Sequence, residues 1–149
     1  LKMPIFGQLF RKVAMSRFAR TLGVLMKSGV PVLQSIEITQ DTVGNKVVAA
    51  ALGDVQTSVR EGETIAGPLS RHPVFPPMVV QMLAVGEETG AVDNMLEKVA
   101  DFYDSEVDAT VQSLTSLIEP LLIAVLGAVV GGILISLYLP MFQLINLIQ

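Results

Sequence analysis

No cysteine occurs among the 149 residues, so the chain carries no thiol nucleophile. That absence fits a reducing compartment, although many exported proteins also lack disulfides. Other catalytic signatures are equally scarce: there is no GxSxG, no HExxH and no GxxxxGK[ST] phosphate loop. The one histidine, His72, lies between Arg71 and Pro73 in a connector, where a surface or packed-loop role explains it. Acids in DSEVDA and its neighbours recur at helical spacing, but the central glycine and terminal glutamate of an EF-hand are missing. No alternating strand pattern of useful length appears. These absences leave little for an enzyme to work with.

Charge is missing from whole regions. From Pro120 to Gln149 there is no charged residue, and the first 27 residues hold no acid. The run LLIAVLGAVVGGILISLYL, Leu121 to Leu139, is interrupted by one serine only. Nineteen helical residues at ~1.5 Å each reach about 29 Å, the thickness of a bilayer's hydrocarbon core. We read a transmembrane helix over residues 120–140, preceded by a cytoplasmic helical domain, 1–119, and followed by a short non-cytoplasmic apolar tail, 141–149. The orientation rests on Lys2, Arg11, Lys12, Arg17, Arg20 and Lys27, since positive residues stay on the cytoplasmic side. The chain begins at Leu1 with no signal-peptide pattern, so it is expected to be a fragment that begins mid-protein.

What is present is helical periodicity. Pro4 and Gly7 open an irregular entry. Phe10, Val13, Ala14, Phe18, Thr21, Leu22 and Leu25 then recur at steps of three and four. Gly29 and Pro31 separate that helix from one over about Val32 to Val43. Gly44 ends the second helix, and Asn45 is a cap for a third running to about Glu61. TIAGPLSR holds only a short helix, and HPVFPP reads as an extended connector. Pro76 or Pro77 starts a helix that runs to about Glu88 and stops at Gly90. A stripe of Met95, Leu96, Val99, Tyr103, Val107, Val111, Leu114 and Ile118 follows and points into the membrane run. Pro120 is expected to kink or loosen that helix without ending it. The fold class is all-α: an antiparallel bundle of about six helices, the last continuing into the transmembrane span.

Residues 87 to 119 carry nine acids against the single base Lys98, opposite the basic first 27 residues. Either the two segments lie against each other or they form opposed docking patches. The net charge of −4 argues against nucleic acid. On helical wheels Arg17 and Glu106 both fall inside apolar arcs, which predicts that they pair and hold the first helix to the last. GEETG (Gly86 to Gly90) reads first as a helix-closing turn, with Asp93 available to cap the next helix. Glu87 and Glu88 around a hard cation are the weaker alternative. In the span, Gly127 and Gly131 form GxxxG, widened by Ala124, Ala128, Gly132 and Ser136, which suits close packing with another span.

With these stretches in place, the chain resembles the inner-membrane platform proteins of type IV pili and type II secretion. RFARTLGVLMKSGVPVL is similar to that family's opening helix and its turn, here Ser28, Gly29, Val30 and Pro31. FPPMVVQMLAVGEETGAVDNMLEKVADFYDSEV is similar to its most characteristic stretch, with Gly86, Glu87, Thr89 and Gly90 matching the family turn. LIEPLLIAVLGAVVGGIL is similar to its final span, with Glu119 and Pro120 at the membrane entry. The resemblance implies the second of two related cytoplasmic domains plus the last span, in the bacterial inner membrane. It implies no enzymatic activity and no cofactor. It further implies a hexameric ATPase on the cytoplasmic side, pilin or pseudopilin subunits, other inner-membrane components, membrane lipid and a homo-oligomer as partners. FPPMVVQM and ADFYDSEV look more like the pilus branch than the secretion branch. Lys12, Arg20 and Lys27 are the candidate ATPase-docking residues. The rivals are a tail-anchored helical protein binding a cytoplasmic signalling partner and a transporter half, the latter opposed by the lack of ionisable residues in the span.

Overall fold

The structure, a computed structural model, describes residues 4–146; Lys2 of the basic cluster and residues 147–149 of the apolar tail lie outside them. Among the described residues there are six helices and no strand. They are α1 (Pro4–Lys27), α2 (Val32–Thr42), α3 (Lys46–Arg60), α4 (Ala66–Ser70), α5 (Pro77–Thr89) and α6 (Val92–Asn146).

Local chemistry sets most boundaries. Gly29 takes φ 79° after α1, where Val30 N–H reaches the Leu25 carbonyl and Gly29 N–H reaches that of Met26. That pair of bonds closes a Schellman motif, and a left-handed residue is cheapest as glycine. Pro31 then caps α2 from extended geometry. Asn45 caps α3 as expected, its Oδ1 accepting from Val47 N at 3.0 Å and Val48 N at 3.3 Å. Pro76 precedes α5, and Gly90 ends it at φ 71°.

Three expectations are corrected. Pro4 does not open an irregular segment; it is the first residue of α1, a position where proline's missing N–H costs no hydrogen bond. Residues 72–76 are compact, with a turn from Phe75 N–H to the His72 carbonyl, because the Phe75 ring is buried 5.1 Å from that of Phe18. Asp93 lies inside the first turn of α6, where it favours the helix dipole. As expected, Pro120 does not end the last helix, which runs on to Asn146.

The chain divides into two units, Leu1–Asp108 and Ala109–Gln149. In the first, α1 packs on α2, α2 on α3, α3 on α4 and α4 on α5. Its core draws Met15, Phe18 and Leu22 from α1, Ile36 from α2, Val48, Leu52 and Val55 from α3, Leu69 from α4, Val79 and Leu83 from α5, and Leu96 and Val99 from α6. Phe10 of the predicted α1 face is exposed. In the second unit the helix carries the uncharged run Leu121 to Leu139; it is long and apolar enough to cross a membrane, and none of its most hydrophobic window is buried.

Candidate functional site

The acidic face of α6 meets the basic face of α1. Lys27 Nζ reaches Glu97 at 3.0 Å, Arg20 reaches Asp101 at 2.8 Å and also Asp104, and Lys12 Nζ reaches Glu106 at 2.8 Å. The buried Ser16 hydroxyl donates to the other oxygen of Asp104. Numbers rise along α1 as they fall along α6, so the helices run antiparallel with their charges in register. Gly23 lets them approach: a Cβ there would lie 3.1 Å from that of Leu96. Of the two readings of segregated charge, mutual contact is the one seen.

This ladder corrects the predicted Arg17–Glu106 pair. Glu106 is taken by Lys12, while Arg17 is exposed, with its guanidinium beside Gly44. Lys12 lies a little over one turn before Arg17 and, with Ser16, Arg20 and Lys27, occupies the stripe that α6 covers. The ladder also shows Lys12, Arg20 and Lys27, the expected docking residues, each paired with an acid of α6, although Arg20 and Lys27 stay exposed. Each is an intramolecular donor, so reversing its charge would disturb the bundle itself.

Electrostatics follow the geometry. The Ser16 hydroxyl first, and Arg20 second, hold the Asp104 carboxyl below the usual aspartate value. Hydrogen bonds to Asp104 and then Asp101 hold the Arg20 guanidinium above its usual value. Burial pushes the Tyr103 phenol up, against the opposing pull of Arg11. Arg11 itself donates to the Pro73 carbonyl at 2.6 Å and the Val74 carbonyl at 3.1 Å, tying α1 to the connector before α5.

GEETG is a structural turn with a long reach. Ala91 N–H meets the Gly86 carbonyl at 2.8 Å, which with the left-handed Gly90 closes α5. At Gly86 a Cβ would stand 2.9 Å from the Val92 backbone, so only glycine lets α6 fold back so closely. Glu87 does something the sequence reading missed. One carboxylate oxygen accepts from Ile65 N–H and the other from Ala66 N–H, at 3.1 Å for the second, capping α4. No spacing rule links residues 21 and 22 apart, so no local signal could have found it. With both oxygens engaged, Glu87 serves the fold; Glu88 is exposed, and the described residues contain no cluster of three metal-ligating side chains. Thr89 bonds back to the Val85 carbonyl at 2.7 Å, and Ser28 likewise to Val24 at 2.8 Å.

In the second unit Ala124, Gly127, Ala128 and Gly132 are exposed, and a Cβ on Gly127, Gly131 or Gly132 would meet nothing within 4 Å. The Ser136 hydroxyl donates to the Gly132 carbonyl at 2.8 Å, so it needs no other partner. Glu119 and Pro120 lie inside α6, with Glu119 exposed.

Bundle, ladder and apolar helix together define a class: a small α-helical domain whose last helix is long and apolar enough to cross a membrane. The chain matches the family described as "Type II secretion system (T2SS), protein F" over residues 18–140, and it belongs to that family. It is 56% identical over 149 residues to the type IV pilus assembly protein PilC of Myxococcus xanthus, covering all of this chain and 36% of that protein. To the protein of the same name from Thermus thermophilus it is 49% identical over 147 residues, 98% of this chain and 36% of the relative. To the type II secretion system protein F of Aeromonas hydrophila it is 35% identical over 149 residues, all of this chain and 38% of the relative. The chain thus spans little more than a third of the length of these relatives.

Proposed function

We propose that this chain belongs to a non-enzymatic platform protein of a type IV pilus or type II secretion machine, held in the bacterial inner membrane. Family membership across residues 18–140 is the observation that carries the reading. The bundle, residues 1–119, faces the cytoplasm, a reading supported by the cations that cluster before the span and by their absence from residues 141–149. Its partners are a hexameric cytoplasmic ATPase, pilin or pseudopilin subunits, other components of the machine and membrane lipid. The platform couples the ATPase to insertion or extraction of those subunits. Higher identity to the pilus assembly relatives, 56% and 49%, than to the secretion relative, 35%, favours the pilus branch.

A helix shared by a packed bundle and an apolar span supports a mechanical role better than a chemical one. The small-residue strip at Ala124, Gly127, Ala128, Gly131 and Gly132 is the surface we assign to packing against another span. The test is binding between the full-length protein in detergent and the purified assembly ATPase of the same organism. Saturable binding is the expected result. No binding to a verified hexamer by the full-length protein would overturn the coupling role and favour a tail-anchored adaptor. Turnover of a substrate with no ATPase present would overturn the non-enzymatic part.

A further inference from the structure

Two exposed surfaces of this chain complement each other, and neither is used by the bundle. The first is a shallow groove of about 540 Å³ between α1 and the start of α3, lined by Phe10, Val13, Arg17, Val43, Lys46 and Val47 among others. Phe10 is 58% exposed and Val47 52%. Arg17 and Lys46 flank these apolar side chains, and neither takes part in an ion pair among the described residues. Most other cations of α1 are committed to α6, so this is where uncompensated positive charge and apolar surface coincide. The Asn45 side chain already occupies the Val47 and Val48 amides, which leaves recognition to side chains.

The second surface is the stretch of α6 just before the apolar run. Val111 is 46% exposed and Ile118 52%, and they share one helix face with Leu114. Asp108 and Glu119 border that face, eleven residues apart on the wheel's third turn, about 16 Å along the axis. Both acids are exposed and without an ion pair among the described residues. An apolar stripe edged by carboxylates is the counterpart of an apolar groove edged by a guanidinium and an ammonium.

We propose that the α1–α3 groove of one copy receives the Asp108–Glu119 stretch of α6 from a second copy. Phe10 and Val47 pack on Val111, Leu114 and Ile118, while Arg17 and Lys46 face the bordering acids. Charge complementarity between two otherwise unpartnered faces selects a second copy as the occupant. The contact needs no ATPase and no pilin, so it can fail while the platform reading survives.

The test uses two differently tagged copies of the full-length protein, co-expressed in membranes on a cysteine-free background. One carries Val47→Cys and the other Val111→Cys, and a short bismaleimide links them. We expect a mixed-tag dimer, absent when Val111→Cys is replaced by Val85→Cys on the exposed side of α5. Arg17→Glu with Lys46→Glu in the first copy should cut the yield about tenfold, as like charges then face each other. Asp108→Lys with Glu119→Lys in the second copy should restore it. The reversal does not threaten α3, because an acid in a first helical turn suits the dipole. Equal linking in the Val85→Cys control, a yield indifferent to charge, or linking of residue 47 only to another protein would each overturn the proposal.

Discussion

Leu96 and Leu126 sit on the same helix and have opposite surroundings. Leu96 is fully buried against α1, with its Cβ near Gly23, whereas Leu126 is 62% exposed in a stretch apolar on every side. In the first unit hydrophobic residues occupy a stripe because water must be met on the remaining face. From Leu121 to Leu139 no face carries charge, a composition that suits a different solvent. One element therefore follows two sets of rules, and the change falls in the short acid-bordered stretch between Asp108 and Glu119.

The strongest way to break that comparison is to make the same substitution in both places. Leu96→Ala should destabilise the bundle by about 2–5 kcal/mol, since it leaves a cavity that packed neighbours only partly fill. Leu126→Ala should leave the bundle's unfolding unchanged, because its side chain contributes nothing to that core. Thermal unfolding of both variants in detergent checks the pair; equal losses would mean that the second unit is not lipid-facing. The converse substitution adds charge. Leu126→Arg should cost about 2.5–3.5 kcal/mol in membrane insertion, read by a glycosylation-mapping assay, while Phe102→Arg at an exposed bundle position should not alter insertion.

Gly86 sharpens the comparison from inside the bundle. A Cβ would stand 2.9 Å from the Val92 backbone, which cannot yield as a flexible side chain would. Gly86→Ala should therefore cost about 1–3 kcal/mol by overpacking, whereas Gly127→Ala meets open space and should not change bundle stability. Urea unfolding midpoints of the two variants decide it. A neutral Gly86→Ala would mean that α5 and α6 meet less closely than described.

Such contrasts show which parts could be read from the residues alone. Caps and breaks were legible because their chemistry is local: Gly29, Asn45 and Gly90 act within a few residues of themselves. The all-α bundle and the apolar helix were legible from periodicity. Side-chain pairing across helices was not, because a wheel gives direction without register. Arg17 lay within the apolar arc of α1, yet the register of α1 on α6 handed Glu106 to Lys12 instead. Phe10 looked like core for the same reason, yet it lies exposed on the groove between α1 and the start of α3. Glu87 was invisible as a cap, since its partners belong to another helix.

Glu87 gives a smaller effect. Glu87→Gln keeps an acceptor but loses the charge that strengthens both amide bonds, so a loss of about 1 kcal/mol is expected, against none for exposed Glu88→Gln. Hydrogen exchange at Ile65 and Ala66 should quicken in the first variant only; unchanged exchange would place the cap elsewhere.

The smallest effect belongs to the ladder and depends on pH. Asp104 is held below the usual aspartate value, by the Ser16 hydroxyl first and Arg20 second. A depressed folded-state value means the unfolded chain binds the proton more readily. Its contribution is complete above the unfolded value, near pH 4, and is lost as pH falls through the lower folded value. Asp104→Asn should thus lower the unfolding temperature at about pH 6, and the gap from the parent should close towards about pH 3. Because Ser16 is the larger cause, Ser16→Ala should reduce more of that pH-dependent gap than Arg20→Gln. A gap that stays constant across the range would show that Asp104 acts through shape alone. The α1–α6 seam would then be held by its apolar contacts, with Leu96 against Gly23 at the centre.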